Sequence, residues 1–233
     1  MATAGEVRTA LAEVADPDDA VFLQRFFKTG PGQYGEGDVF IGVRVPATRT
    51  VVRRFRGISL DEIDALLDDP VHEHRLAGLL LLVAAAKKDL AAASDRYLAA
   101  VRRGRVNNWD LVDASAEYLV GERLVAGDRA LLFELAASPS LWERRVSIIA
   151  TFAFLKRGDA STTLELAERL LGDREDLMHK AVGWMLREAG KRVDRALLLS
   201  FLDAHAAAMP RTALSYATEH FDPEARARYR ALR

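Results

Sequence analysis

Apolar residues recur at helical spacing from near the start of the chain, and the pattern predicts helices from about 4 to 15 and from about 18 to 28. Pro17 suits the start of the second helix, where a missing N–H costs nothing. The run from Thr29 to Asp38 then breaks the pattern, because its four glycines and one proline demand a loop. Val39 to Val45 is extended in pattern, yet the sequence offers no second strand to pair with it. Residues 30–45 are therefore expected to form an ordered, glycine-rich connection whose apolar side chains pack onto helices. Pro46 opens a helix rich in arginine (Arg49, Arg53, Arg54, Arg56). Ser59 and Glu62, three residues on, predict a capping box for a helix that ends near Asp69-Pro70.

From about residue 59 to 220 the pattern repeats weakly, with a period of about 35 residues. Helices starting near His72, Asn107, Trp142, Leu177 and Ala208 align, and their fourth position is Arg75, Asp110, Arg145, Lys180 and Arg211. Further helices are expected between them, at about 89–102, 127–137, 161–171 and 193–206. Helix pairs with a polar residue early in each second helix describe an all-α fold. The expected architecture is one domain, residues 1–233, an α-solenoid of HEAT-like units with the second helices on its inner, functional face. The Trp-Leu-Gly-Tyr signature of tetratricopeptide repeats is missing.

Composition narrows the classes. Half of the 233 residues are hydrophobic and 29% are charged, which is a folded composition. Cysteine is absent, which rules out disulfides and thiolate metal sites and makes an intracellular setting the expectation. The N-terminal stretch lacks a basic segment followed by an apolar one, and Leu76 to Ala86 is too short to span a bilayer. No membrane partner is expected. The formal charge of -1 does not advertise nucleic-acid binding, so such a binder would need its cations gathered on one face.

Two stretches carry candidate chemistry. Trp109 and Asp113 lie one helical turn apart, with Leu111, Val112, Ser115, Ala116, Tyr118 and Leu119 on the apolar side and Glu117 beyond it. By spacing alone the pair is either a packing tryptophan beside an idle acid or part of a site. In the helix from about 176 to 191, Lys180, Trp184, Arg187 and Lys191 fall within a sector of roughly 60°, opposite an apolar stripe. That stripe is either a cation–π staple or a surface for a polyanion. Arg144 and Arg145 in the first turn of another helix, and Arg102, Arg103 and Arg105 before Trp109, recur near the same phase of the repeat. The histidines (72, 74, 179, 205, 220) include no i,i+4 pair, so no metal is expected. The loop at 30–37 lacks the Lys-Ser/Thr of a P-loop, and no serine nucleophile stands out.

Asn108-Trp109-Asp110-Leu111-Val112-Asp113, Trp142-Glu143-Arg144-Arg145 and the run from His179 to Glu188 together resemble the AlkD-like family of DNA alkylation repair glycosylases. The resemblance covers most of the chain, including Phe40 to Pro46. It implies that Asp113 is the catalytic carboxylate and that Trp109 and Trp184 bracket the deoxyribose of the lesion. It further implies that Arg145 contacts a phosphate and that Arg187 and Lys191 hold backbone phosphates nearby; Arg144, Arg105 and Lys180 join them as candidate DNA-binding cations by their place in the repeat. The implied reaction removes cationic N3- and N7-alkylated purines from duplex DNA without a base-flipping pocket and without a cofactor. A cytoplasmic, nucleoid-associated monomer is the matching expectation. The competing readings are a non-catalytic HEAT-like module that binds DNA structures and a protein-binding scaffold, which would need an apolar groove.

Overall fold

The structure, a computed structural model, describes residues 2–232. Among the described residues it is all-helical, with no strand beyond one isolated parallel bridge between Val39 and Val71. No helix among them is long and apolar enough to cross a membrane. The chain divides into two compact units, one ending at Ser115 and the other beginning at Ala116.

The first unit holds α1 (Ala4–Ala12), α2 (Pro17–Phe26), α3 (Val45–Arg54), α4 (Leu60–Leu67), α5 (His72–Ala85), α6 (Leu90–Arg102) and α7 (Trp109–Asp113). Helix α5 is its centre and packs against α1, α3, α4, α6 and α7. The predicted capping box at Ser59 is only half made. Ser59 accepts the Glu62 N–H, but the Glu62 carboxylate instead accepts the Ala4 N–H at 2.6 Å and ties α1 to α4. The complete box lies at Thr3 and Glu6, which caps α1.

The extended segment finds its backbone partners without a sheet. The buried Glu73 carboxylate accepts three successive N–H groups, from Ile41 at 3.1 Å, Gly42 at 2.8 Å and Val43 at 3.1 Å. A carboxylate thus does what a neighbouring strand would otherwise do for buried donors. Gly42 must be glycine here. Its φ is 84°, and a Cβ would sit 1.8 Å from the Asp16 carbonyl oxygen.

The second unit opens on a π-helical turn (Glu117–Gly121). It continues through α8 (Glu122–Leu124), α9 (Ala130–Ala136), α10 (Leu141–Ala150), α11 (Phe152–Leu155) and α12 (Ser161–Arg169). It ends with α13 (Asp176–Arg192), α14 (Arg195–His205), α15 (Arg211–Ala217) and α16 (Pro223–Ala231). Helix α13 packs against α10, α12, α14 and α15. The helix pairs fall where the repeat predicted them. The regular helix expected to run on from Trp109 does not persist, however. Ser115 donates its hydroxyl to the Leu111 carbonyl at 2.6 Å, and the chain then winds into the π turn. A π turn holds an extra residue and so rotates everything after it. With the helix already interrupted at Ala114–Ser115, Glu117 is buried at 5% exposure and Tyr118 is exposed at 41%, the reverse of the regular-helix expectation. Glu117 pairs with Lys156.

Glu73→Ala removes the acceptor of three N–H groups, each costing about 1–3 kcal/mol when buried and unpaired. Urea unfolding should therefore show a loss of about 3 kcal/mol or more, and a smaller loss for Glu73→Gln, which keeps one carbonyl oxygen. An Ala variant as stable as the wild type would mean that the segment is held by something else.

Candidate active site

Trp109 and Asp113 line one cavity of about 620 Å³ in the first unit, walled by Phe22, Phe26, Phe27 and Phe40, with Arg44 and Arg49 also lining it. Both residues are half-buried. The Trp109 ring stacks on Phe27, with centroids 5.4 Å apart at 26°, and meets the edge of Phe26 at 6.2 Å. Phe27 stacks in turn on Phe40 at 5.1 Å. This aromatic wall was not foreseen from the sequence, although the adjacent Phe26-Phe27 before the loop was a usable signal. Beside the carboxylate the structure places an apolar, aromatic cavity that the sequence did not announce.

Beneath the wall lies a charged network. Asn108 caps α7 by accepting the Trp109 N–H at 2.8 Å. His72, buried on α5, reaches the Asp38 carboxylate through Nδ1 at 3.1 Å and the Asp110 carboxylate through Nε2 at 2.8 Å. Arg75 donates to Asp38 at 2.6 Å, to the Asn107 side chain at 3.1 Å and to the Asp69 and Pro70 carbonyls. The glycine-rich loop thus delivers Asp38 to a buried cation pair, and the same pair grips the start of α7 through Asn107 and Asp110. Burial alone would lower the His72 pKa, but the Asp110 and Asp38 carboxylates prevail and push it up to about 9. Burial raises Asp38, while the His72, Arg75 and Asn107 contacts outweigh it and hold that carboxyl below its ordinary value.

In the second unit, Trp184 is half-buried on α13 with Phe152 6.0 Å away. Lys180 pairs with Asp176 at 2.8 Å, and Arg187 pairs with Glu219 and with Glu188. Lys191 is exposed. Arg145, expected in a first turn open to a groove, is instead 4% exposed and donates to the Leu177 carbonyl. Its place on the inner side of α10 directs it into the packing against α13. Arg144 pairs with Asp173 at 2.6 Å and donates to the Ser138 and Pro139 carbonyls. Arg75 treats Asp69 and Pro70 in the same way. Arg144 rather than Arg145 is therefore the repeat equivalent of Arg75, one residue away from the phase read in the sequence. Arg105 lies 3.5 Å from Asp68. The structure thus gives Arg105, Arg144, Lys180 and Arg187 acidic partners within the protein.

A histidine whose folded pKa is raised adds stability that is complete below its ordinary value of 6.5 and lost as pH rises through about 9. A shift of this size corresponds to about 3 kcal/mol. Urea unfolding of the wild type should show that loss between pH 6.5 and 9.5, and His72→Gln should lack it. Parallel declines of both proteins across this window would mean that His72 is neutral in the fold.

The family model described as "DNA alkylation repair enzyme" matches residues 7–221 of this chain. Among solved structures, a predicted DNA alkylation repair enzyme from Enterococcus faecalis is similar in fold, with a TM-score of 0.71 and 16% sequence identity. The match covers 90% of this chain and 97% of that one. No curated protein matches the sequence. With the family model spanning nearly the whole chain, the protein belongs to the DNA alkylation repair enzyme family.

Proposed function

We propose that the protein is a DNA glycosylase that hydrolyses the N-glycosidic bond of cationic N3- and N7-alkylated purines in duplex DNA. The observation that carries this reading is Asp113 and Trp109 sharing one aromatic cavity, in a chain of the alkylation repair family. An N7- or N3-alkylpurine is already positively charged and leaves as a neutral base, so no general acid is needed. Positive charge develops on the sugar instead as the bond breaks. A carboxylate close to C1′ stabilises that charge and orients the attacking water, and an indole face suits the same cation.

The polar groups around the cavity support action at the sugar rather than capture of a flipped base. A pocket that reads a base needs hydrogen bonds to its Watson–Crick edge. Here Glu73 is spent on backbone N–H groups, His72 on two carboxylates and Arg44 on Asp19. Beside Asp113 and the Arg49 guanidinium, what remains is an aromatic surface suited to an apolar or π face. Within the second unit, taken by itself, the proposal makes Trp184 a sugar-contacting aromatic and Lys191 a phosphate contact, with Lys180 and Arg187 exchanging their carboxylate partners for phosphates. Arg145 keeps a supporting role through α10.

Duplex DNA carrying N7-methylguanine should release free base with the wild type. Asp113→Asn should bind the same duplex and release base about 10²–10³-fold more slowly, the usual cost of removing one preorganised charge partner. Equal release by both proteins would remove Asp113 from the chemistry. Tight duplex binding by both, with no release by either, would favour a non-catalytic DNA-binding protein.

A further inference from the structure

The exposed cations of this chain are unevenly neutralised, and the imbalance has a location. Helix α3 turns Thr48, Val51 and Val52 inward and leaves Arg49, Arg53 and Arg54 exposed, with Arg56 just beyond its end. Lys87 and Lys88 follow the C-terminus of α5, the helix on which α3 packs. Among the described residues none of these six cations makes an ion pair, whereas nearby Arg8, Arg44, Arg96, Arg103 and Arg105 each do. Arg53 touches only the Thr50 hydroxyl, and Arg54 lies over the Phe55 ring.

The side chains are also arranged around shared hollows. Arg49, Arg53, Arg56 and Lys87 line a groove of about 250 Å³ that no acidic residue enters. Arg56, Lys87 and Lys88 line a neighbouring hollow of about 440 Å³, where the Asp89 carboxylate is already engaged in capping α6. Arg49 and Arg53 are four residues apart, one above the other on the helix and about 6 Å apart along its axis. Six like charges held together on a rigid surface repel one another, and a polyanion relieves that repulsion while releasing its own counterions. Arg49 also lines the cavity that contains Asp113, so the basic groove and the aromatic cavity share a wall residue.

We propose that the α3–α5 groove is a docking surface for the phosphodiester backbone of duplex DNA beside the lesion, with Arg53, Arg56 and Lys87 as its principal phosphate contacts and Arg49 joining it to the cavity. This rests on the glycosylase reading for its geometry, since the strand it holds is the one presented to Asp113. The partner is DNA rather than an acidic protein because the groove is lined by several guanidinium groups on a regular helix, which suits evenly spaced phosphates.

The test is fluorescence anisotropy of the intact protein with an undamaged, labelled duplex between 50 and 200 mM salt. Arg53→Ala/Arg56→Ala/Lys87→Ala should bind roughly tenfold or more weakly at the low-salt end. Its plot of log affinity against log salt should be shallower by about 1–3, near the slope that up to three lost phosphate contacts would carry. Arg96→Ala, which removes a cation already paired with acids, should change neither. Circular dichroism should match the wild type, since the substitutions are exposed, and Arg53→Lys/Arg56→Lys should restore most of the binding. Wild-type affinity and slope in the triple variant would overturn the proposal, as would losing binding to anionic lipid vesicles while keeping it to DNA. If the triple variant binds as the wild type does and the wild type still releases N7-methylguanine, only the groove is wrong. If the wild type releases no base yet its DNA binding depends on the groove, only the glycosylase reading is wrong.

Discussion

Four consecutive polar residues open the central helix of the first unit, and all are buried: His72 at 1%, Glu73 at 2%, His74 at 8% and Arg75 at 3% exposure. Burying so much charge is costly unless each group is paired and hydrogen-bonded. His72, Glu73 and Arg75 are, His74 lies 2.9 Å from the Asp69 carboxylate, and the partners of the first three lie on the extended segment, the loop and α7. Glu73 holds the extended segment through three N–H groups, and Arg75 and His72 hold the loop through Asp38. Arg75 and His72 also hold α7 through Asn107 and Asp110. Helix α7 spans only Trp109–Asp113, too short to orient itself by its own hydrogen bonds. The direction in which Trp109 and Asp113 point is therefore set jointly by the start of α5, by the burial of Leu111 and Val112 and by the stacking of Trp109 on Phe27.

This dependence explains why the fold was largely legible in the sequence and the site only partly so. Helical spacing, Pro17 and the glycines of the loop are local signals, and they located the helices and the one long break. Trp109 and Asp113 share a helix turn, so their proximity was legible too. The aromatic wall is not local. Phe27, Phe40 and Trp109 come from three segments, brought together by carboxylates whose sequence surroundings give no hint of burial. His72-Glu73-His74-Arg75 reads like a solvated first turn, which is why it served only as a marker of the repeat. The π turn was hidden for another reason. The interruption at Ala114–Ser115 and the extra residue of the turn leave the composition of the helix unchanged, and Glu117 and Tyr118 exchange burial there.

The arginines show the same limit from the side of charge. Basic residues at recurring phase suggested a basic inner surface, yet Arg75 and Arg144 perform a packing task. Arg75 and Arg144 each close off the turn before their own helix and also reach an acidic side chain from elsewhere in the chain, Asp38 and Asp173 respectively. A guanidinium suits that task because its five donors can serve carbonyls and a carboxylate at once. Periodic arginine in a helical repeat is thus evidence of tethering before it is evidence of a ligand. Arginine that recurs on one face with no acid in reach, as along α3, is the stronger indication of a polyanion.

The network also bears on which bases the proposed chemistry could remove. Excision of a neutral base needs an acid that gives it a proton as it leaves, and His72, which lines the cavity and is charged up to about pH 9, looks suited to that role. Its geometry argues otherwise. Both ring nitrogens of the histidinium donate to carboxylates, Asp38 and Asp110, so neither proton is free to be handed on without leaving a buried anion unpaired. The high pKa further disfavours transfer, because the proton is held by the very carboxylates that raise it. The group that fixes α7 is therefore a poor general acid. Under the proposed chemistry, Asp113 without an acid beside it suits lesions that carry their own positive charge.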